Sequence, residues 1–321
     1  MCGISGIITS SGDLSRIREM NDLISHRGPD GSGYHFGKDF CFGHRRLAIV
    51  DLSAAGDQPM CYLDRYVIVY NGEVYNHIEL RAELSDLGYS FNSTTDTEVI
   101  IAAYDAWGDK CVEHFNGMWA FAVYDDLERT IFCSRDRFGV KPFYYSNLGD
   151  LFVFGSEIKQ LLGFQPAPRA NKDILIDFIV CSLSEHTDQT FFENIYALQG
   201  GHNLVFDLDK HDFHIYRWYF IKNDWPLNEL SDFETVEWYK SKFISSVGYR
   251  LRSDVLVGCC LSGGIDSSSV AAVAAKEYNG KIDERFKGIH VRSSDIETDE
   301  SGFAAIVAHN NNIDLSIVIP S

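Results

Sequence analysis

The sequence predicts an α+β domain of stacked β-sheets flanked by helices, followed by the start of an α/β domain with a parallel sheet. Three observations support this fold class. Short β-like runs dominate residues 1–165, with a few helical stretches between them. From residue 231 onwards, apolar strands alternate with helices in the βαβ rhythm of a parallel sheet. At 321 residues, the chain also exceeds the roughly 250–300 residues at which a single core stops growing.

The first predicted domain contains short strands bounded by turn residues. These strands are expected at residues 3–9, 40–50, 66–71, 118–124, 130–135 and 151–156. Helical patterns predict helices over residues 15–25, 77–87 and 97–107. Because strands outnumber long helices, we expect stacked sheets with helices covering them.

A connector is expected between the two domains. Residues 165–169 are rich in proline and residues 227–231 are polar, which is typical of a connecting segment. We therefore assign residues 1–165 to the first domain, and 166–230 to its end and the connector.

The second domain is predicted to begin with a helix. Ser231 and Glu234 have the spacing of a capping box, which starts a helix that runs towards Arg252. After it, strands are expected at 255–261, 286–291 and 315–319, with helices at 269–277 and 301–310. Residues 231–321 are thus the predicted start of a parallel-sheet domain.

The composition excludes several function classes. A net charge of −18 repels phosphate backbones, so we expect no nucleic-acid partner. No segment approaches the roughly 18 apolar residues of a membrane helix, and no export signal is evident at the first residues. The eight cysteines lack the spacing of a zinc site, which favours reduced thiols in the cytoplasm.

Cys2 is the first candidate for chemistry. Removal of Met1 would expose a thiol beside a free α-amine. An α-amine has a pKa near 7.7–8.0, so it can act as the base for its own side chain. On position alone, an incidental cysteine is the alternative.

The motifs that accompany Cys2 give it a context. In chain order they are Cys-Gly-Ile at residues 2–4, Arg-Gly-Pro-Asp at 27–30, Arg-Leu-Ala-Ile-Val-Asp at 46–51, Asn-Gly-Glu at 71–73 and Asp-Thr-Glu at 96–98. Further motifs are Gly-Met-Trp-Ala-Phe at 117–121, Arg-Asp-Arg-Phe-Gly-Val-Lys-Pro at 135–142 and Gly-Ser-Glu at 155–157. With this ordered set, the chain resembles the class II glutamine amidotransferases of the N-terminal-nucleophile type, and most closely the glutamine-hydrolysing asparagine synthetases.

The resemblance implies a glutaminase site. Cys2 would be the nucleophile, and Asn71 with the amide of Gly72 would stabilise the oxyanion. The residues implied to bind glutamine are Arg46, Leu47, Ala48, Ile49, Val50, Asn71, Gly72, Glu73 and Asp96. Taken singly, Asn71-Gly72 is more typical of a hairpin turn, Arg46 of a surface charge and Asp96 of a helix N-cap.

A second motif, Ser-Gly-Gly-Ile-Asp-Ser-Ser at residues 262–268, lies between a predicted strand and helix. Its amides can hold phosphate at the helix N-terminus, and no P-loop lysine is present. It resembles the PP-loop of ATP pyrophosphatases, which cleave ATP between the α and β phosphates. The residues implied to bind ATP are Leu261, Ser262, Gly263, Gly264, Asp266, Ser267, Ser268 and Gly288, with Asp266 also implied for Mg²⁺. A glycine turn before a serine-capped helix is the alternative.

Together, the two resemblances imply glutamine-dependent asparagine synthesis. Ammonia from glutamine would amidate an aspartate adenylated by ATP, giving asparagine, AMP and pyrophosphate. The family continues with an acceptor-binding Gly-Asp-Gly-Ala-Asp-Glu-type segment that is absent up to Ser321, so a truncated synthetase is expected. The alternatives are amidation of another carboxylate such as a sugar acid, a glutaminase-only fragment, or a non-catalytic glutamine or ATP sensor. A homodimer is one expected assembly.

Overall fold

The computed structural model describes residues 1–10, 12–221, 230–279, 284–293 and 295–320. The chain divides into two compact units between Ile221 and Lys222. Residues 222–229 of the predicted connector, and Ser321 at the end of the predicted second domain, lie outside the described residues.

One antiparallel sheet of the first unit contains the strand that follows Cys2. In the order of hydrogen bonding, its described strands are β10 (Tyr196–Ala197), β8 (Tyr144–Asn147), β9 (Leu151–Gly155), β1 (Gly3–Thr9), β3 (Phe40–Arg46) and β2 (Gly31–Phe36). Strand β1 pairs with β3 on one side and β9 on the other. Cys2 therefore precedes a central strand, where backbone pairing on both sides limits its movement.

The second antiparallel sheet carries Asn71 and Gly72. Its described strands, in order, are β12 (Asp212–Arg217), β11 (His202–Asp207), β7 (Thr130–Arg135), β6 (Gly117–Asp125), β5 (Tyr66–Val74) and β4 (Met60–Tyr62). Strands β11 and β12 come from the segment after residue 165, so that segment contributes to the sheets of the first unit.

The helices described in the first unit cover the sheets. They are α1 (Ile17–Asp22), α2 (His77–Asp86), α3 (Asp96–Trp107), α4 (Cys111–His114), α5 (Lys159–Leu162) and α6 (Lys172–Cys181). An apolar core that includes Phe42, Val69 and Phe154 joins the two sheets. Separate clusters pack α2 and α3 on one sheet, and α1 and α5 on the other. The result is the predicted stack of sheets between helices.

The second unit contains a small parallel sheet within its described residues. Strands β13 (Gly258–Cys260), β14 (Lys287–Val291) and β15 (Asp314–Val318) pair in that order. Helices α7 (Asp232–Tyr249), α8 (Ile265–Asn279) and α9 (Ser301–Asn310) accompany them. The predicted capping box of Ser231 and Glu234 is present at the start of α7.

Some elements differ from the expected ones. The strand predicted over residues 40–50 ends at Arg46, because the chain beyond it turns towards Cys2. The strand predicted over 255–261 is limited to β13, and the helix predicted over 15–25 is α1 with a 3₁₀ turn before and after it. No described helix has the length and apolar composition needed to cross a bilayer.

Candidate functional site

A cavity of about 350 Å³ lies in the first unit, within the size range of small-ligand pockets. Its walls come from the N-terminus, the chain after β3, strand β5, the start of α3 and the end of the 135–142 motif. The predicted residues that line it are Cys2, Arg46, Leu47, Ile49, Val50, Asn71, Gly72, Glu73 and Asp96. Ala48 is not among the lining residues, and its N–H donates to Asp30 Oδ2 over 2.9 Å.

Cys2 is held at the cavity from both sides. The Leu47 N–H donates to Cys2 Sγ over 3.3 Å, and Arg27 Nε donates to the Cys2 carbonyl over 2.9 Å. Arg27 in turn pairs with Glu157 over 3.0 Å. Burial raises the pKa of the Cys2 thiol and lowers the pKa of the Met1 amine. A thiol in this setting needs a nearby base to become a nucleophile.

Asn71 and Gly72 lie inside β5 and pair with Ala120 and Trp119 of β6. The hairpin-turn interpretation of this dipeptide is therefore wrong. The Asn71 side chain is 1% exposed, and neither its Oδ1 nor its Nδ2 has a hydrogen-bond partner among the described residues. Since a buried unpaired amide costs free energy, it points to a group that arrives from outside.

Gly72 has no room for a side chain. A Cβ at this position would lie 2.2 Å from the Met118 carbonyl oxygen and 2.8 Å from the Trp119 Cα. Glycine therefore lets β5 pass close to β6 at the edge of the cavity.

Asp96 is the buried carboxylate of the cavity. Its Oδ2 accepts from Tyr70 Oη over 2.8 Å and from the Val74 N–H over 2.9 Å. Burial raises the pKa of Asp96. The N-cap of α3 is Thr95, whose Oγ1 accepts from the Thr97 N–H, so Asp96 is not the cap. Its carboxylate is thus available to a cation in the cavity.

Arg46 is 8% exposed, so it is not a surface charge. Its Nη1 donates to the Ser53 carbonyl and to Asp57 Oδ1, each over 2.7 Å, and its Nη2 donates to the Asp51 carbonyl. The guanidinium group thereby fixes the loop after β3 while it lines the cavity.

Sequence reasoning missed several lining residues, including Gln58, Tyr70 and Lys141. Gln58 Oε1 accepts from the Tyr70 N–H over 2.6 Å, and its Nε2 donates to Thr97 Oγ1 over 3.2 Å. Nothing local in the sequence marks Gln58 or Tyr70. Lys141 lies in the 135–142 motif, and this motif could have indicated that Lys141 is near the site.

The second predicted site is a local loop before α8. Ser262 Oγ and Ser267 Oγ are 2.8 Å apart, and Ser262 Oγ accepts from the Gly264 N–H over 3.3 Å. Gly263 has φ of +98°, which favours glycine. Ser268 Oγ is buried without a partner in the described part of the chain. These groups and the helix N-terminus suit an anion such as phosphate.

The other residues predicted to bind ATP surround this loop. Leu261 is buried, and its carbonyl accepts from His290 Nδ1 over 2.8 Å. Gly288 lies on β14, in register with Cys259 of β13. Asp266 is an exposed carboxylate in the first turn of α8.

Comparison with known families matches both units. The glutamine amidotransferase domain model matches residues 1–219, and the asparagine synthase model matches residues 239–320. A relative from Methanocaldococcus jannaschii is 40% identical over 85% of this chain and 56% of its own length. Asparagine synthetase [glutamine-hydrolyzing] 3 of Bacillus subtilis is 37% identical over 97% of this chain and 51% of its own length. The chain thus spans about half the length of these relatives.

Comparison with solved structures confirms the predicted fold class. Glutamine phosphoribosylpyrophosphate amidotransferase of Bacillus subtilis superposes with a TM-score of 0.52 over 99% of this chain and 81% of that chain. The two sequences are 14% identical, so this likeness shows the fold alone.

Proposed function

The chain belongs to the glutamine amidotransferase family through residues 1–219, and from that premise we propose that its first unit hydrolyses glutamine to glutamate and ammonia at Cys2. The observation that carries the proposal is the buried, unpartnered amide of Asn71 in the same cavity as the Cys2 thiol. A nucleophile facing unpaired donors is the arrangement that acyl transfer requires.

In the proposed reaction, removal of Met1 leaves the α-amine on Cys2, and this amine takes the thiol proton. The thiolate attacks the side-chain amide carbon of glutamine. Asn71 Nδ2 and the Gly72 N–H stabilise the resulting oxyanion. The C–N bond then breaks, and ammonia leaves with a proton from the α-ammonium group. Water attacks the γ-glutamyl thioester and releases glutamate, which regenerates the thiol.

Recognition of free glutamine requires opposite charges at its two α-groups. We assign the α-ammonium group to Asp96 with Glu73, and the α-carboxylate to Arg46. The buried position of Asp96 supports this assignment, since its raised pKa would fall again beside an ammonium ion. The chain from Leu47 to Val50 supplies the remaining wall.

For the second unit, we propose that the loop at residues 262–268 binds ATP. The aspartate carboxylate attacks the α-phosphate and releases pyrophosphate, and ammonia then converts the acyl-adenylate to asparagine with release of AMP. The match to the asparagine synthase model supports this activity. The described residues contain no group of three potential metal ligands, whereas Mg²⁺ often takes one carboxylate plus substrate phosphates. Asp266 fits that mode, and Mg²⁺ there would offset phosphate charge. A cytoplasmic location and a homodimer are parts of the same proposal.

The test compares glutamate release by wild type, Cys2→Ala and the control Cys181→Ala, which removes an exposed thiol elsewhere. Cys2→Ala should lower the rate by at least roughly 10³-fold, and Cys181→Ala should leave it unchanged. Intact mass should show that Met1 is absent in all three proteins. Glutamate release that persists in Cys2→Ala would refute the proposal.

The acceptor half-reaction needs its own assay. Aspartate, Mg-ATP and glutamine should yield asparagine, AMP, pyrophosphate and glutamate if the second unit is competent in this chain. Cys2-dependent glutamate release without AMP would limit the activity of the chain to glutamine hydrolysis.

A further inference from the structure

The 135–142 motif forms a rigid frame in the first unit. The Asp136 carboxylate accepts backbone N–H groups, among them those of Val140 over 3.0 Å and Lys141 over 2.9 Å. The Arg135 guanidinium group donates to the carbonyls of Lys141 and Gly139, each over 2.7 Å. Both side chains of the Arg-Asp pair are thus occupied in holding the backbone around Lys141.

The frame presents Lys141 to the cavity that contains Cys2. Lys141 lines this cavity and is 5% exposed. Burial lowers the pKa of Lys141, and the Glu73 carboxylate is the main charge that opposes this effect. Lysine is rarely buried without a partner, because its ammonium group loses hydration. The Lys141 Nζ is not among the fully buried polar atoms without a partner in the described residues, so the ammonium group reaches the space of the cavity.

The charged groups around Cys2 limit the role that the Lys141 ammonium group can have. Burial raises the pKa of the Cys2 thiol, and Asp96 adds to this effect. The Leu47 N–H opposes it most, followed by the Met1 amine and then Lys141. The pKa of Lys141 is lowered mainly by burial. The charges that also change this pKa are those of Glu73, Cys2, Arg27 and Asp136. Arg27 also lowers the pKa of the Met1 amine, and Asp30 raises it. These interactions are those of the chain with Met1 present. Once Met1 is removed, as the proposed reaction requires, the amine belongs to Cys2, and a cation in this cavity favours both the Cys2 thiolate and the neutral form of that amine.

We propose that Lys141 is a positioning residue for glutamine hydrolysis: its ammonium group, fixed by the Arg135–Asp136 frame, keeps the Cys2 thiol and the adjacent amine in the forms needed for attack. This inference rests on the proposed glutaminase function. It adds a residue that acts through Cys2 and leaves the chemical steps unchanged.

The test measures alkylation of Cys2 by iodoacetamide between pH 5 and 10, read as the mass of the N-terminal peptide. It needs no glutamine. Wild type is compared with Lys141→Met, Lys141→Arg and Lys210→Met, since Lys210 is an exposed lysine on the β11–β12 turn. In Lys141→Met, the apparent pKa of alkylation should rise by less than about one unit, because Lys141 is the weakest of the groups that lower the thiol pKa. Lys141→Arg should restore it, and Lys210→Met should match wild type.

Glutamine hydrolysis provides the second measurement. The acidic limb of the kcat/KM profile should move to higher pH in Lys141→Met by the same amount. An unchanged alkylation profile with a raised KM would overturn the proposal in favour of substrate binding by Lys141. Equal losses in Lys141→Met and Lys141→Arg would instead assign Lys141 a structural role. If Cys2→Ala still hydrolyses glutamine, the proposed function fails, while the alkylation profile still tests Lys141.

Discussion

The two candidate sites are built in opposite ways. The cavity of the first unit gathers Cys2, Asn71, Asp96 and Lys141 from four separate parts of the chain, and most of its polar side chains are buried. The loop at 262–268 is continuous in sequence, partly exposed and closed by a hydrogen bond between two of its own serines.

This difference determines what substitutions do. In the cavity, polar groups such as Asp96 and Gln58 are held by partners distant in sequence, so a change there disturbs both the site and the core around it. In the loop at 262–268, a substitution removes one local hydrogen bond and leaves the parallel sheet unaffected. Larger effects are therefore expected in the first site than in the second.

Among the substitutions that keep Cys2, Asn71→Ala should show the largest effect. Removing one oxyanion donor typically costs about 10²- to 10³-fold in kcat, so glutamate release should fall by that factor with a smaller change in KM. Steady-state kinetics of glutamate release measure both constants.

Asn203→Ala is the matched control for Asn71→Ala. Asn203 is also buried, and its Oδ1 likewise has no partner among the described residues, but it lies on β11 and does not line the cavity. Its loss should leave kcat close to wild type. Equal losses in the two variants would show that Asn71 acts through stability alone.

The sequence predicted these parts unequally. Asn71 and Cys2 were found because they lie in short motifs, and the capping box at Ser231 was found because its two residues are three positions apart. Gln58 was missed, because its role depends on Tyr70 and Thr97, which are distant in sequence. Strand β12 was missed for a related reason: its mostly exposed run of mixed polar and apolar residues becomes a strand through pairing with β11.

Acid should destabilise the first unit through His44. This side chain is fully buried, and its Nε2 donates to the Tyr70 carbonyl over 3.0 Å. Burial lowers the pKa of His44 from 6.5 to about 4. Between these values the unfolded chain binds a proton that the folded chain does not. Stability should therefore fall by about 3 kcal/mol as pH drops from 6.5 to 4.

Urea unfolding across this pH window measures the effect. His44→Gln should flatten the pH dependence of the unfolding free energy. Burial also lowers the pKa of His35, but His35 is only half-buried, so His35→Gln should change this pH dependence less. A His44→Gln protein with the same pH slope as wild type would contradict the assignment.

Gly72→Ala and Gly248→Ala compare the same change in the two units. At Gly72, the added methyl group meets backbone of β6, so we expect a loss of about 1–3 kcal/mol in unfolding free energy. At Gly248 of α7, nothing lies within 4 Å, and alanine should stabilise the helix by up to about 1 kcal/mol. Thermal unfolding of both variants gives the sign, and a stabilised Gly72→Ala would show that β5 can move away from β6.

Ser267→Ala should have a smaller effect than Asn71→Ala and tests the local nature of the second site. Ser267 Oγ accepts from the Ser262 N–H and donates to the Gly264 carbonyl, so its loss loosens the loop. Affinity for Mg-ATP, measured by calorimetry, should fall by about tenfold, or about 1.4 kcal/mol. Ser269→Ala is the control, because its hydroxyl donates to the Ile265 carbonyl within α8. Glutamate release should stay unchanged in both variants, and a loss of glutaminase activity in Ser267→Ala would mean that the two sites are not independent.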